Sequence, residues 1–360
     1  MIFIYISITC YVLLLFWLFS GFKKVEKEFP KQVEPAHSFS IIIPFRNEAK
    51  HLPSLIQSIE KLNFPANQFE VIFIDDDSTD EFQFPKMNFL NQIISQKKSN
   101  QSPKKEAILK AFAIAKFDWI VTTDADCLLP KNWLTDLSDY ISFSQKEMVC
   151  GPVFFNSNPN FLTDFQQNEM LGLQGVTIGS FGLEKPFMCN GANFAYTKKL
   201  FKDLNGFKGN EDKPSGDDVF LLQKAVAQFP DKVGFLLKST FAVKTNAASN
   251  WDALFEQRVR WAGKSTSYSS RFGKVVAIIV LLANFSVLVI LPYLFWENYE
   301  LLFLFLLKFL IDVLMANQTA KFYQIKQRNI ILTAFVYPFF STFVAIYSLF
   351  GKYTWKGRTY

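Results

Sequence analysis

The apolar residues of the chain are concentrated at its two ends. The run from Ile2 to Phe22 carries no charge and is followed by Lys23 and Lys24. About 20 consecutive apolar residues are enough to span the hydrocarbon core of a bilayer. A signal peptide would show a basic start and a small-residue cleavage site, and this run has neither. We therefore predict an uncleaved transmembrane anchor over residues 1–22, with the two lysines on the cytoplasmic side.

Hydrophobic runs return over residues 274–350 and predict two or three further membrane helices. Val275–Trp296 is uncharged and long enough to span. The run Leu301–Ala316 carries Lys308 and Asp312, which lie four residues apart and therefore on one helical face. We predict that these two side chains neutralise each other in apolar surroundings.

The charges of the connecting loops predict the course of these helices. Glu297–Glu300 is acidic and Lys321–Arg328 is basic, which fits an outside loop followed by an inside one. A single crossing by Ile330–Phe350 would then leave the basic tail, residues 351–360, outside. A re-entrant or two-piece segment bent at Pro338 would avoid that conflict, and the sequence leaves both courses open.

Residues 39–271, between these ends, have the pattern of a globular α/β domain. Continuous apolar runs predict buried strands at Ser40–Pro44, Glu70–Ile74 and Trp119–Thr123. Helical patterns separate them at Ala49–Leu62 and Lys104–Lys116. This alternation predicts a parallel sheet. Acidic residues follow the strands, at the edge where open α/β sheets bind ligands.

The composition of the chain limits the kinds of site that it could form. Half of the residues are hydrophobic and 42 are Phe, which exceeds the needs of a soluble domain. The four cysteines form no C-x-x-C pair, so a zinc site or disulfide framework is not expected. With only two histidines, catalysis must depend on carboxylates. The net charge is +6, but the sequence has no dense basic block, so we expect no nucleic-acid partner. We assign the excess of Lys and Arg to positions next to membrane spans on the cytoplasmic side.

Two acidic clusters follow predicted strands. The first, Asp75–Asp80, is compatible with a solvated turn or with recognition of a base and ribose by carboxylates. The second, Asp124-Ala125-Asp126, places two carboxylates where both could face one hard cation. We predict that this pair binds Mg²⁺ or Mn²⁺ together with a diphosphate.

Two further groups lie later in the chain. Asp217 and Asp218 precede a predicted helix, where a carboxylate could cap the helix or act as a general base. Gln257, Arg260 and Trp261 share one helix face. That face could rest on the membrane, or it could offer a cation to a leaving diphosphate and a flat surface to a sugar ring.

In their order and spacing these segments resemble the membrane-integrated branch of glycosyltransferase family 2. The matching segments are Ile43–Glu48, Asp75–Asp80, Lys104–Ala107, Asp124–Asp126, Asn190–Asn193, Gly216–Asp218, Gln257–Trp261 and the tail Trp355–Arg358. The resemblance implies a GT-A fold, which is a Rossmann-like mixed-sheet domain, here with one N-terminal and two to three C-terminal transmembrane helices. It also implies inversion at the anomeric carbon in one displacement.

The resemblance assigns roles residue by residue. The nucleotide-sugar would be bound by Pro44, Arg46, Glu48, Asp76, Lys105 and Asp124. Asp124 and Asp126 would bind the metal. Acceptor binding falls to Asn190, Gly191, Ala192, Asp217 and Trp261. The catalytic set would be Asp218 as general base with Gln257, Arg260 and Trp261. The chain departs from the family at Asp77, where Gly is usual, and at Asp217, where Glu is common.

The expected function is therefore an inverting transfer from a nucleotide-sugar, by analogy a UDP-sugar, to a lipid-linked or hydrophobic acceptor. The enzyme would be a multi-pass protein of the inner membrane with its catalytic domain in the cytoplasm and in contact with membrane lipids. Alternatives are a processive polysaccharide synthase subunit and a non-catalytic pseudo-transferase that only binds. A nucleotidyltransferase and a phosphodiesterase are disfavoured, because neither calls for a Q-x-x-R-W helix beside a membrane span. A transporter is disfavoured because most of the chain lies outside the predicted spans, which are few.

Overall fold

The computed structural model describes residues 1–96, 102–156, 159–211, 213, 215–264, 267–293, 299–351, 354–355 and 358–359. The described chain forms two compact units. The sheet unit comprises Glu26–Phe154 and Met188–Asn246. The helical unit comprises Met1–Val25, Phe155–Phe187 and Ala247–Tyr360.

A seven-stranded sheet in the order β3-β2-β1-β4-β7-β5-β8 forms the centre of the sheet unit. Its strands are β1 (Phe39–Phe45), β2 (Phe69–Asp76), β3 (Leu90–Gln96), β4 (Trp119–Thr122), β5 (Met148–Cys150), β7 (Phe194–Thr197) and β8 (Val233–Phe235). Two-stranded sheets pair β6 (Val153–Asn156) with β9 (Val243–Asn246) and β10 (Thr354–Trp355) with β11 (Arg358–Thr359).

The predicted strands are confirmed because their apolar runs are buried on both faces. Six of the seven residues of β1 are buried, and every described residue of β4 is buried. Helices cover the sheet: α2 (Leu52–Glu60), α3 (Pro103–Ile114), α4 (Trp133–Ser144), α6 (Lys198–Asp203) and α7 (Asp217–Gln228). The core between them is rich in Phe, Ile and Leu.

The sheet is mixed rather than parallel throughout. Strands β3, β2, β1 and β4 run parallel, as the alternation of strands and helices predicted. Strand β7 is antiparallel to both β4 and β5, and β8 is parallel to β5. This is the mixed Rossmann-like arrangement that the family resemblance implied.

The helical unit consists of α1 (Ile2–Lys24), α5 (Phe161–Gly182), α8 (Trp251–Gly263), α9 (Arg271–Tyr293), α10 (Tyr299–Tyr323) and α11 (Ile330–Phe350). Among the described residues, α1, α9 and α11 are long and apolar enough to cross a membrane. Compactness thus groups residues 155–187 and 247–271 with these helices, although the sequence pattern placed them in the α/β domain. The domain boundaries drawn from sequence stay predictions.

Helices α1 and α5 approach each other through glycines. A Cβ atom added to Gly179 of α5 would lie 2.2 Å from the carbonyl oxygen of Leu18, and one added to Gly182 would lie 1.9 Å from that of Gly21. Small residues permit such close backbone approach between membrane helices. The α1–α5 crossing therefore requires glycine on its contact face.

The predicted intrahelical pair in α10 is confirmed. Lys308 Nζ lies 2.7 Å from Asp312 Oδ2, and Tyr11 of α1 donates a hydrogen bond to Asp312 Oδ1 at 2.5 Å. The lysine side chain is 2% exposed. The two opposite charges thus lie in contact, and the Tyr11 hydrogen bond connects this pair to α1.

Helix α11 runs continuously through Pro338, so the structure does not show the two-piece segment considered for this region. Glu297 and Asn298 of the predicted acidic loop lie outside the described residues, as do Lys356 and Gly357 of the tail motif.

Candidate active site

The ends of β1 and β2 are joined by hydrogen bonds between the loops that follow them. Arg46 donates to the carbonyl oxygens of Asp76 and Asp77 at 2.6 and 2.5 Å. The Asn47 side-chain oxygen accepts from the Thr79 backbone at 2.7 Å. Because β1 and β2 are parallel and in register from Phe39 to Phe45, both loops lie at the carboxyl edge of the sheet, where open α/β sheets bind ligands.

Asp77 occupies the position where the family usually has glycine. Its φ is +58°, in the left-handed region that glycine enters without cost and that Asp tolerates better than most residues. Its carboxylate lies 3.5 Å from the Arg46 guanidinium. The extra negative charge at this edge therefore faces a cation.

The other residues predicted for the donor line the same edge. Pro44 lies in β1 opposite Ile74. Asp76 is the last residue of β2 and is 7% exposed. Glu48 lies 2.6 Å from His51 Nδ1. Their contact with a nucleotide-sugar stays a prediction.

Lys104 joins the end of β4 to the start of α7. Its Nζ lies 2.9 Å from Asp124 Oδ1 and 3.7 Å from Asp217 Oδ2. Burial acts to lower the pKa of this ammonium, but the charges of Asp124 and Asp217 outweigh burial and hold that pKa well above its ordinary value. A permanent positive charge is thus fixed between two of the predicted site carboxylates.

Lys105, which the resemblance assigned to the donor, is placed differently from Lys104. It is 3% exposed, and its ammonium donates to the backbone carbonyls of Asn210 and Lys213 and lies over the Phe220 ring. The structure thus brings Lys104, not Lys105, between the carboxylates. Sequence reasoning missed Lys104 because adjacent lysines at a helix start look alike until the packing of α3 is known.

The two predicted metal ligands, Asp124 and Asp126, have different partners. Asp126 Oδ2 accepts a hydrogen bond from Thr245 at 3.0 Å, whereas Asp124 is paired with Lys104. The described residues hold no group of three or more His, Cys, Asp or Glu side chains suited to a metal. One or two carboxylates still fit Mg²⁺ or Mn²⁺, because these ions commonly complete their coordination with substrate phosphates and water.

Asp218 is held from two sides. The Gly191 backbone donates to Oδ2 at 2.7 Å, and the Val219 backbone donates to Oδ1 at 2.7 Å. The segment that bears Gly191 is a short 3-10 helix, Gly191–Asn193, capped by the side chain of Asn190, which accepts from Ala192 N at 3.0 Å. The structure therefore brings the predicted base together with the predicted acceptor segment.

The Gln257–Trp261 motif lies on α8 of the helical unit. Gln257, Arg260 and Trp261 are partly exposed. Between them, Arg258 is buried and donates three hydrogen bonds to Glu169 of α5 at 2.7–3.0 Å. An ion pair between Arg258 and Glu169 thus joins the motif to α5. Nothing in the sequence indicated this contact.

Residues 40–204 match the family described as Glycosyl transferase family 2. This segment is a glycosyltransferase family 2 domain. It contains Arg46, Asp76, Lys104, Asp124, Asp126 and Gly191. Asp217, Asp218 and the α8 motif follow it in the chain, so their assignment depends on the motifs and on geometry.

Known proteins with similar sequences or structures include two curated relatives and a solved enzyme. Poly(ribitol-phosphate) beta-N-acetylglucosaminyltransferase TarS of Staphylococcus aureus strain Mu50 is 32% identical over 114 residues, which is 31% of this chain and 20% of TarS. Probable glycosyltransferase YdaM of Bacillus subtilis strain 168 is 24% identical over 273 residues, covering 70% of this chain and 63% of YdaM. The chain thus spans less than two thirds of either relative.

The solved structure is that of mannosyltransferase PcManGT from Pyrobaculum calidifontis in complex with GDP-Man and Mn²⁺. It superposes with a TM-score of 0.61 at 14% identity and covers 96% of this chain and 98% of its own. This likeness confirms the GT-A fold of the family 2 domain.

Proposed function

We propose that this chain is an inverting glycosyltransferase that moves a sugar from a nucleotide-sugar to an acceptor at the cytoplasmic face of the membrane. The observation that carries the proposal is the Lys104 ion-pair bridge from Asp124 to Asp217, next in the chain to Asp218. It brings the D-x-D pair, predicted to bind the donor, and the predicted base to one edge of the family 2 domain.

In the proposed reaction Asp218 accepts a proton. The acceptor hydroxyl oxygen bonds to the anomeric carbon while the bond from that carbon to the diphosphate oxygen breaks. The hydroxyl proton passes to the Asp218 carboxylate, and the nucleoside diphosphate leaves. The two backbone N–H groups that hold Asp218 fix its direction and leave lone pairs on both oxygens for the proton.

The donor would bind at the carboxyl edge of β1, β2 and β4. Asp76 and Glu48 would face the nucleoside, and Lys104 would place a positive charge near the diphosphate. Asp126, and Asp124 with it, would bind the divalent cation, which when bound neutralises charge on the diphosphate. The pairing of Asp124 with Lys104 supports Asp126 as the principal ligand.

The acceptor is proposed to be lipid-linked or hydrophobic. Among the described residues, three helices are suited to crossing a membrane, and they would keep the catalytic domain at the bilayer surface, where such an acceptor resides. Asn190, Gly191, Ala192 and Asp217 would contact it on the sheet unit, together with Trp261 of α8. Gln257 and Arg260 would contact the diphosphate. These roles follow from the resemblance.

The test is the release of nucleoside diphosphate by the purified full-length protein in detergent. The donor panel includes UDP-N-acetylglucosamine and GDP-mannose, because one relative is named for N-acetylglucosamine transfer and the solved neighbour holds GDP-Man. We expect release from one donor, abolished by a chelator and increased by a membrane lipid extract. Release that lipid does not increase would contradict the proposed acceptor, and the absence of release from every donor would contradict transferase activity.

A further inference from the structure

Arg258 lies inside the Gln257–Trp261 motif but is not one of its predicted catalytic residues. Its side chain is 4% exposed, and that of Glu169 is 7% exposed. Arg258 Nε lies 3.0 and 2.9 Å from the two Glu169 oxygens, and Nη2 lies 2.7 Å from Oε2. Such a multidentate pair fixes the guanidinium plane in a way that a lysine could not.

The same guanidinium contacts both neighbours in the motif. Its Nη1 donates to the side-chain oxygen of Gln257, and its central carbon lies 4.3 Å from the centre of the Trp261 ring. The Phe155 ring lies 5.9 Å from that carbon. One buried cation thus contacts the amide of Gln257 and the indole of Trp261.

The contact with Gln257 determines which end of its amide is presented outward. A guanidinium can only donate, so the Gln257 oxygen must face Arg258. The amide nitrogen, with its two N–H groups, then faces away from the pair. Gln257 is therefore fixed as a hydrogen-bond donor, which suits an oxygen of a phosphate or a sugar hydroxyl.

We propose that Arg258, held by Glu169, is a positioning residue that orients Gln257 and Trp261 for the reaction. This inference depends on the proposed function for the roles of those two side chains. The orientation itself can be measured without activity.

Two sets of variants separate positioning from simple stabilisation. Arg258→Met leaves Glu169 buried without its partner and should lower the unfolding temperature. Adding Glu169→Gln removes the unpaired charge and should restore that temperature. We expect the double variant to keep at least about a tenfold loss in kcat/KM for the acceptor, because Gln257 and Trp261 stay unoriented. Because Gln257 is proposed to contact the diphosphate, kcat/KM for the donor should fall as well.

Arg258→Lys is the conservative comparison. Lysine can pair with Glu169 but cannot hold Glu169 and Gln257 in one plane. We expect near-normal stability with reduced kcat/KM. The matched control is Lys308→Met with Asp312→Asn, a buried ion pair of the same unit whose lysine lies over Tyr11 and Tyr337. This control should leave kcat/KM unchanged.

The readout without activity is ¹⁹F NMR of the full chain labelled with 5-fluorotryptophan. The chain has seven tryptophans, and Trp261→Phe identifies the resonance of interest. We expect that resonance to shift in the double variant and in Arg258→Lys, and to stay in place in the Lys308 control. A double variant that regains both stability and kcat/KM, or an unmoved Trp261 resonance, would overturn the inference. If the wild type transfers no sugar, the proposed function fails while the NMR comparison still decides this inference.

Discussion

Each oxygen of Asp218 receives one backbone N–H, from Gly191 and from Val219. The two donors come from different segments, the short 3-10 helix and the first turn of α7. Rotation of the carboxylate would break one of these hydrogen bonds, so its direction is fixed before any substrate arrives. The sequence identified Asp218 through its motif, but it contained no sign that Gly191 would hold it.

Replacing Asp218 tests its role as the base. Asp218→Asn removes the proton acceptor while preserving the size of the side chain, so we expect kcat to fall on the order of 10²- to 10⁴-fold. The KM for the donor should stay nearly the same, since the loss affects the transition state. The control is Asp203→Asn, which removes an exposed ion pair with Lys199 and should leave kcat unchanged. Initial-rate kinetics of nucleoside diphosphate release would measure both, and normal turnover by Asp218→Asn would exclude it as the base.

The two aspartates of the D-x-D pair should respond differently to mutation. Asp126→Asn removes the carboxylate proposed as the principal metal ligand, so we expect the manganese concentration for half-maximal rate to rise by about tenfold or more. Asp124→Asn should instead release Lys104 as well and weaken donor binding. Rates measured across a manganese titration would compare them. An unchanged manganese requirement in Asp126→Asn would remove it from the metal site.

At the scale of elements, the sequence predicted three parallel strands but not the antiparallel strand β7. Continuous apolar runs located β1, β2 and β4, because strands buried on both faces have no polar alternation. Strand β7 has the same kind of buried sequence, and nothing in Phe194–Thr197 indicates that it runs antiparallel. That direction is set by contacts with β4 and β5, which are distant in sequence.

Helix α5 was also missed, since its sequence is neither a hydrophobic span nor a simple amphipathic helix. It buries polar side chains, among them Gln166, Gln167 and Asn168. Gln166 donates to the Ala248 carbonyl, and Asn168 donates to the Arg328 carbonyl and Thr333. These partners come from later parts of the chain, so their pairing cannot be read from the local pattern.

The α1–α5 crossing allows a matched pair of substitutions on one helix. Gly179→Ala would place a Cβ 2.2 Å from the Leu18 carbonyl oxygen, whereas Gly172→Ala would meet nothing within 4 Å. We expect Gly179→Ala to destabilise by about 1–3 kcal/mol through overpacking, and Gly172→Ala to be neutral or slightly stabilising. Thermal unfolding in detergent would compare the two. Equal unfolding temperatures would contradict the glycine-dependent crossing.

For the whole molecule, the distribution of basic residues predicts an orientation in the membrane. Lys23 and Lys24 end α1, and the end of α10 with the loop after it is basic from Lys321 to Arg328. Because such residues tend to stay in the cytoplasm, we expect the sheet unit on the cytoplasmic side.

Protease access would measure this orientation. We expect an added protease to cleave the sheet unit in inside-out membrane vesicles and to leave it intact in right-side-out ones. A membrane protein with a periplasmic domain in the same vesicles gives the opposite pattern and controls for leakage. Cleavage of the sheet unit in intact right-side-out vesicles would contradict a cytoplasmic catalytic domain.

The glycine crossing between α1 and α5 also sets an order of events during synthesis. Helix α1 emerges from the ribosome first, and strands β1–β6 are made before its partner α5 exists. Until then Gly21 and the backbone around Leu18 face lipid or other proteins instead of α5. The helical unit therefore cannot be completed before β1–β6 have been synthesised, and a chain stopped between α1 and α5 would leave the first helix without this partner. An intact α1–α5 contact therefore shows that the chain has been synthesised at least through α5.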